Sequence, residues 1–253
     1  MTSRDNAMRK NGFTLVEVLV GVVVGLIIVA GVYGVMVLTQ RTSASLGRRV
    51  VTQQDTRLVL DFMASEIRMA SFNPSMSGDT WTNLTTTDAI DVCSNVKSVI
   101  AVPTPTAANR GILYADANNL FIAMDLGPEG SPPTYGIIGD ADNEFIFYSY
   151  NAATSAVRRS ISCGTNQAIL GGDLPGTRIY NNATSPSALP LFQYFDRTGA
   201  ELTGTINIPA IRRIRINIAA ETKDVDTATQ QRKKMIYSTD VLVRNHAVFM
   251  PNF

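Results

Sequence analysis

The chain is short of the residues from which most active sites are built. Its 253 residues include a single histidine, His246, so any dyad or triad using an imidazole base would depend on one side chain close to the last residue. The motifs G-x-S-x-G, H-E-x-x-H, G-x-G-x-x-G and the Walker loop are missing, which removes the usual hydrolase, zincin and nucleotide-binding readings. No catalytic residue, cofactor or metal is indicated. An excess of one charge is also lacking: 22 Lys and Arg stand against 21 Asp and Glu, and the net charge of +1 gives no hint of a polyanionic partner. Cysteine occurs only at Cys93 and Cys163. Proline is absent between Phe13 and Asn73, so one helix could run through about 60 residues, roughly 90 Å. Charge is absent from Val18 to Leu38.

What is present starts at the junction before that uncharged run. Arg9-Lys10-Asn11-Gly12 closes a short basic leader, and Phe13-Thr14-Leu15-Val16-Glu17 opens the apolar segment. The 21 residues from Val18 to Leu38, at about 1.5 Å of rise each, make a helix near 32 Å long, enough to cross a hydrocarbon core of roughly 30 Å. Glu17 lies just inside this segment, where a carboxylate costs roughly 2.5–3.5 kcal/mol. Such a residue implies a partner. Cleavage of the Gly12–Phe13 bond would leave a free ammonium near Glu17, at the positive end of a helix that favours anions. A secretory signal peptide is cut after its apolar region; here the cut precedes it, so the helix should stay in the mature protein.

Gly12-Phe13-Thr14-Leu15-Val16-Glu17 resembles the type IV prepilin cleavage and methylation motif, shared by pilins and by the pseudopilins of type II secretion. The resemblance implies that a membrane aspartyl peptidase cuts after Gly12 and that the new amino group of Phe13 is N-methylated. It also implies that Glu17 pairs with the N-terminal amine of a neighbouring subunit during filament assembly. Arg4, Arg9 and Lys10 precede the span, with Asp5 offsetting one of them, and Arg41, Arg48 and Arg49 follow it. The positive-inside rule therefore barely discriminates, and the orientation rests on the resemblance: leader in the cytoplasm, C-terminal domain in the periplasm. An even pair of cysteines fits that oxidising compartment. A Cys93–Cys163 bridge would close a loop of about 70 residues and stabilise by roughly 4 kcal/mol; the alternative is two buried free thiols.

Beyond the apolar half, Val51, Asp55, Leu58, Phe62, Ser65, Met69 and Phe72 recur at spacings of three and four. That stripe predicts the face that docks on a globular domain. Arg57 and Asp61 are placed to pair on the solvated side, worth a few tenths of a kcal/mol, and Asn73-Pro74 is the stop signal. Gly21 and Gly25 form a G-x-x-x-G pair suited to close helix packing. Gly31 and Gly34 mark where resembling pilins unwind on leaving the bilayer, although this chain lacks the helix-breaking proline that major pilins usually carry there.

A Ser, Thr, Gly and Asn-rich stretch from Ser75 to Thr87 reads as a loop, and Gly127 to Pro133 as another. Strands are predicted at Ile112–Tyr114, Leu120–Leu126, Glu144–Tyr150, Ala156–Cys163, Leu189–Phe195, Ile211–Ala220 and Lys234–Arg244. In the fourth, Val157, Ile161 and Cys163 share a face with Arg159. In the sixth, Ile214, Ile216 and Ile218 alternate with Arg213, Arg215 and Asn217. One sheet face should cover a core under the amphipathic helix. Asp140-Ala141-Asp142-Asn143-Glu144 and the pair Asp224 and Asp226 offer oxygens to a calcium ion but lack EF-hand spacing, and read as polar turns. Arg158-Arg159, Arg212-Arg213 and Arg232-Lys233-Lys234 are balanced by acids or split between strand faces, so they read as solvated surface and not as a nucleic-acid site.

Three later segments narrow the resemblance. Arg68-Met69-Ala70-Ser71-Phe72 resembles the Arg-x-Ala-Gly-aromatic segment of PilW-type minor pilins, with Ser71 where glycine is usual. Phe192-Gln193-Tyr194-Phe195-Asp196-Arg197-Thr198-Gly199 resembles an aromatic strand and turn of PilW-type pilins and of the J-type pseudopilin. Ile211–Glu221 and Val241–Asn245 resemble their closing strand pair.

The expectation is an α+β, type IV pilin-like protein: a leader at 1–12, a transmembrane and assembly helix at 13–40, its amphipathic continuation at 41–73, and a periplasmic, antiparallel β-rich domain at 74–253. The function expected is that of a noncatalytic minor pilin that primes or joins a type IV pilus. The alternatives are a J-type pseudopilin of a type II secretion system, or an adhesin or DNA-uptake subunit displayed on a fibre. Its implied partners are other minor and major pilins or pseudopilins, the prepilin peptidase and N-methylase, the inner-membrane assembly platform and the membrane itself. The expected location is the inner membrane, as a single-pass protein, and then the extracellular fibre or its tip.

Overall fold

A computed structural model gives the fold, and the structure describes residues 12–74, 81, 93–100, 106–127, 138–139, 142–182, 188–226 and 229–247. The leader up to Asn11, nearly all of the 75–87 loop, most of the 127–133 loop and Asp140 lie outside the described residues. Helix α1 spans Leu15–Met69, 55 residues, as the long proline-free stretch predicts. The chain divides into two compact units at a point within this helix, Met1–Gly47 and Arg48–Phe253.

In the first unit the apolar side chains are exposed on every side of the helix: Leu15, Leu19, Val23, Ile27 and Leu38 are each around half exposed or more. Gly31 and Gly34 have ordinary helical backbone. A helix that is apolar all round belongs among lipid or other helices, and this one is long and apolar enough to cross a membrane.

The second unit contains the rest of α1 and two antiparallel sheets. The first sheet has the order β1 (Ile112–Ala115), β2 (Asn119–Ala123), β3 (Phe145–Asn151), β4 (Ala156–Ile161) and β5 (Gln167–Gly171). In the second, β10 (Lys234–Leu242) pairs with β9 (Arg213–Thr222), which pairs with β7 (Phe192–Phe195), and β7 with β8 (Glu201–Leu202). β6 (Thr177–Ile179) also pairs with β9. The described residues also form two short α-helices, α2 (Ser94–Lys97) and α3 (Arg244–Ala247), and 3₁₀ turns at Ala107–Asn109 and Ile208–Ala210. Strand alternation places Ile214, Ile216 and Ile218 inward as expected, each fully buried.

Several expectations need correction. Among the described residues the second unit holds two sheets rather than one, and β5, β6 and β8 fall outside the predicted strands. The first sheet is also covered on both faces. Leu120, Ile122, Ile146 and Tyr148 face the core beneath α1. Leu113, Phe121, Phe145 and Phe147 face a second cluster with Trp81, Cys93, Val96 and Ile100. Cys93 and Cys163 are joined by a disulfide there, tying the start of α2 to the residues after β4. Finally, β10 stops at Leu242, and Arg244 begins α3.

The docking face of α1 also differs from the expected stripe. Thr52, Thr56, Val59, Leu60, Met63, Ala64 and Ile67 are buried, whereas Leu58 is 71% and Phe62 42% exposed. At about 100° per residue, the two stripes lie roughly two fifths of a turn apart. Threonine explains the offset: Thr56 Oγ1 donates to Thr52 O at 2.7 Å, and Thr52 Oγ1 lies 3.1 Å from both Arg48 O and Gly176 O. With their hydroxyls satisfied by backbone carbonyls, these residues present their methyls and bury as apolar groups. The predicted Arg57–Asp61 pair does not form; the Arg57 guanidinium lies 5.6 Å from the centroid of Tyr237. Glu66 enters instead, as an ion-pair partner of Arg159 and a hydrogen-bond acceptor from Tyr148 Oη, joining the helix to β3 and β4. Burial and then the Glu66 carboxylate raise the Tyr148 phenol far above its ordinary pKa, so it remains a donor.

Truncating each stripe in turn distinguishes them. Met63→Ala should destabilise the protein by roughly 2–5 kcal/mol, and Leu58→Ala by less than about 0.5 kcal/mol, measured by urea unfolding in detergent micelles. Equal losses would contradict the buried face described here.

Candidate functional site

The first described residues form the candidate site. Gly12, Phe13 and Thr14 precede the helix in non-helical backbone, and Phe13 is 86% exposed. The bond proposed for cleavage is therefore outside α1, where a peptidase need not unwind helix to reach it. Thr14 is the N-cap and Glu17 the third residue of the helix. Thr14 Oγ1 accepts from Glu17 N at 3.3 Å, and the Glu17 carboxylate accepts from Thr14 N at 3.0 Å. Thr14 Oγ1 also lies 3.0 Å from Glu17 Oε2, placed to donate its own proton. This reciprocal capping box satisfies backbone donors that an unpaired helix start leaves open. Glu17 stands out in the sequence and Thr14 does not, although Thr-x-x-Glu before an apolar run is the signal for such a box.

A second polar cluster closes the C-terminal end of α1. Ser71 has φ +64°, in the left-handed region that glycine occupies without strain. This gives a physical reason for glycine at the corresponding place in the resembling segment. Here the serine side chain is anchored: its Oγ accepts from Gly111 N at 3.1 Å and lies 3.1 Å from His246 Nδ1. His246 Nε2 lies 3.0 Å from Ile208 O. A carbonyl only accepts, so Nε2 carries the proton and Nδ1 accepts from the serine hydroxyl. Ser71 N donates to Ala123 O at 3.0 Å, and Gly111 O accepts from Ala123 N at 2.7 Å. A β-carbon at Gly111 would overlap the backbone of Ser71 and Ala123. His246 is thus a buried structural residue.

The remaining candidates are engaged elsewhere. Glu144 is fully buried and accepts from Leu126 N at 2.9 Å and Gly139 N at 2.5 Å. Asp226 accepts from Thr229 N and lies 3.9 Å from Lys233. Among the described residues no group of three or more His, Cys, Asp or Glu could hold a metal ion. Arg213 and Arg215 both bind Asp240, at 2.7 Å. The hydrogen bond from Arg215 chiefly, opposed by burial and assisted by the hydrogen bond from Arg213, holds the Asp240 carboxyl below the usual range. The basic pairs are split: Arg159 turns to Glu66, while Arg158 Nη1 donates to Asn166 O.

Comparison with known proteins agrees with the N-terminal geometry. The family described as the prokaryotic N-terminal methylation motif matches residues 7–33, which contain the junction, the capping box and the first half of the apolar run. With the apolar half of α1, the motif supports membrane anchoring. No curated protein matches the chain. Among solved structures, a type IV-like pilin from Thermus thermophilus is similar at 12% identity and a TM-score of 0.34, over 62% of this chain and 96% of that one.

The His246 cluster generates a pH prediction. Burial chiefly, with smaller contributions from the Arg110 and Arg212 cations, lowers its pKa from 6.5 to about 4, against an opposing hydrogen bond to Ile208 O. Between those values the unfolded chain binds more protons, so the stability is present above about 6.5 and is lost as the pH falls towards 4. From pH 7 to 5 the loss from this group should be roughly 2 kcal/mol, read from urea midpoints. His246→Gln should show a correspondingly smaller drop; an unchanged drop would assign the effect to other groups.

Proposed function

We propose that the chain is a noncatalytic minor pilin of the PilW type, cut between Gly12 and Phe13, N-methylated at Phe13, and assembled into or at the tip of a type IV pilus. The observation that carries this reading is the methylation motif over residues 7–33, with Glu17 at the third position of an otherwise apolar helix start. In this reading the apolar half of α1 waits in the inner membrane with the second unit in the periplasm. On assembly it moves among the helices of other pilins, helped by local unwinding at Gly31 and Gly34. Glu17 pairs with the Phe13 amine of an adjacent subunit, and that pairing sets the axial step. The prepilin peptidase and the assembly platform are the partners this sequence of events requires. The aromatic strand and turn at 192–199 and the closing strand pair resemble the J-type pseudopilin as well as PilW-type pilins, so the two systems are separated by phenotype.

Deleting the gene should abolish pili and twitching while leaving exoprotein release intact; the reverse pattern would assign the chain to type II secretion. Glu17→Ala should still lose its leader but enter sheared fibres about tenfold less, or lower still, because a pairing worth about 1.4 kcal/mol corresponds to tenfold in equilibrium. Wild-type incorporation of this variant would remove the pairing role.

A further inference from the structure

Within the second unit β10 runs alongside α1 in the same direction. Arg57 lies against the Tyr237 ring in the first half of the strand, and Asn245 Nδ2 donates to Arg68 O at 3.3 Å just beyond its end. The turn between β9 and β10 therefore sits at the end of the unit where α1 enters it. The turn between β5 and β6 lies at the same end: Thr52 Oγ1 is 3.1 Å from Gly176 O, and a β-carbon at Gly176 would come 3.2 Å from Val51 Cγ1. Lys223 ties the two turns together. Its backbone N donates to Gly176 O at 3.0 Å, and its Nζ to Gly172 O at 3.2 Å and Leu174 O at 3.0 Å. The joined tip leaves apolar groups uncovered, with Leu174 39% and Val225 40% exposed and Pro175 exposed between the two glycines that flank this turn.

The charges around this tip are sorted by depth. The side chains of Glu221 and Asp226 are only 7% and 9% exposed, whereas those of Arg178, Arg232 and Lys233, which lie beside them, are 47%, 38% and 39% exposed. Sequence charges that nearly balance are thus arranged with acids beneath and cations outside. The exposed acids of this end, Asp173 and Asp224, are outnumbered by the exposed Arg49, Arg178, Arg232 and Lys234.

The chain itself brings this end close to a bilayer. Only Thr39–Gly47 separate Leu38, the last residue of the uncharged run, from Arg48, and as helix they rise about 14 Å. A tether of that length gives a high local concentration, so a contact that is weak on its own becomes occupied. Exposed aliphatic groups ringed by cations suit a lipid interface, where the apolar tip enters the headgroup boundary and the cations meet phosphates. Nucleic acid would use the cations and leave Leu174 and Val225 without a role. We infer that this end of the second unit docks on anionic lipid headgroups of the membrane that holds α1. The inference rests on the membrane anchoring and not on the pilus reading.

The full chain reconstituted in lipid vesicles provides the test. The native cysteines are bridged to each other, so Val225→Cys carries a single fluorophore. The control, Arg197→Cys, lies at the opposite end of β9, in the turn after β7. Each is read by quenching from lipids that carry a nitroxide on the headgroup. In phosphatidylcholine vesicles with about a quarter phosphatidylglycerol, quenching at 225 should exceed that at 197 at least about threefold. The excess should shrink in phosphatidylcholine alone and at about 1 M salt, where screening shortens to about 3 Å. Arg232→Gln with Lys234→Gln should reduce it at least about twofold in the anionic vesicles. Equal quenching at the two positions, or quenching at 225 that ignores phosphatidylglycerol and salt, would overturn the inference while flotation with the vesicles upholds the anchoring. A protein that does not float with the vesicles would overturn both.

Discussion

A carboxylate on an apolar helix must be neutralised or hydrogen-bonded, and Glu17 sets this requirement at the first turn of α1. The structure meets part of it within the chain. Thr14 and Glu17 exchange backbone and side-chain hydrogen bonds through the capping box, and all of those reaching the carboxylate use Oε2. Among the described residues Oε1 receives none. The capping box therefore holds the acid at a fixed position beside the helix start without using its full acceptor capacity, and it leaves the charge itself unpaired. A cationic group arriving at this place gains a preorganised acceptor and the free half of a carboxylate. The proposed ammonium of a processed Phe13 has the required charge and appears just outside the helix.

The same helix meets a different constraint after Gly47, where its apolar face is buried by protein. Threonines serve there because a helix supplies carbonyls to their hydroxyls, leaving methyl groups to face the core. Leu58 and Phe62 form a second stripe whose periodicity is equally good but which the sheets do not cover. Arg159 partly shields that stripe, with its guanidinium 5.0 Å from the Phe62 centroid while it binds Glu66. The helix end is then fixed by backbone pairing from Ser71 to Ala123 and by the buried Ser71–His246 contact, so that residues 68–72, 111 and 246 form one junction although they are far apart in sequence.

The long helix and its membrane-like half were legible because they depend on local composition: absence of proline and absence of charge. The strands with strong alternation, such as β9 with its three buried isoleucines, were legible for the same reason. The docking face was not, because apolar spacing alone cannot separate a stripe that contains threonines from one that is merely periodic. Nor were β5, β6 and β8, whose existence depends on partners elsewhere in the chain. At the candidate site Glu17 stood out through its burial cost, while Thr14 passed unnoticed because threonine at a helix start looks ordinary until its reciprocal bond is seen. The role of Ser71 was unreadable without its positive φ and the histidine that reaches it from the far end of the chain.

The central claim is that the charge of Glu17 is matched by an amine created when the leader is removed. It is tested most directly by the intact mass and N-terminal sequence of the protein purified from the membranes in which it is naturally made. The account predicts a chain beginning at Phe13 and carrying one N-methyl group. A chain beginning at Met1 would contradict it, since Glu17 would then have no such amine to meet.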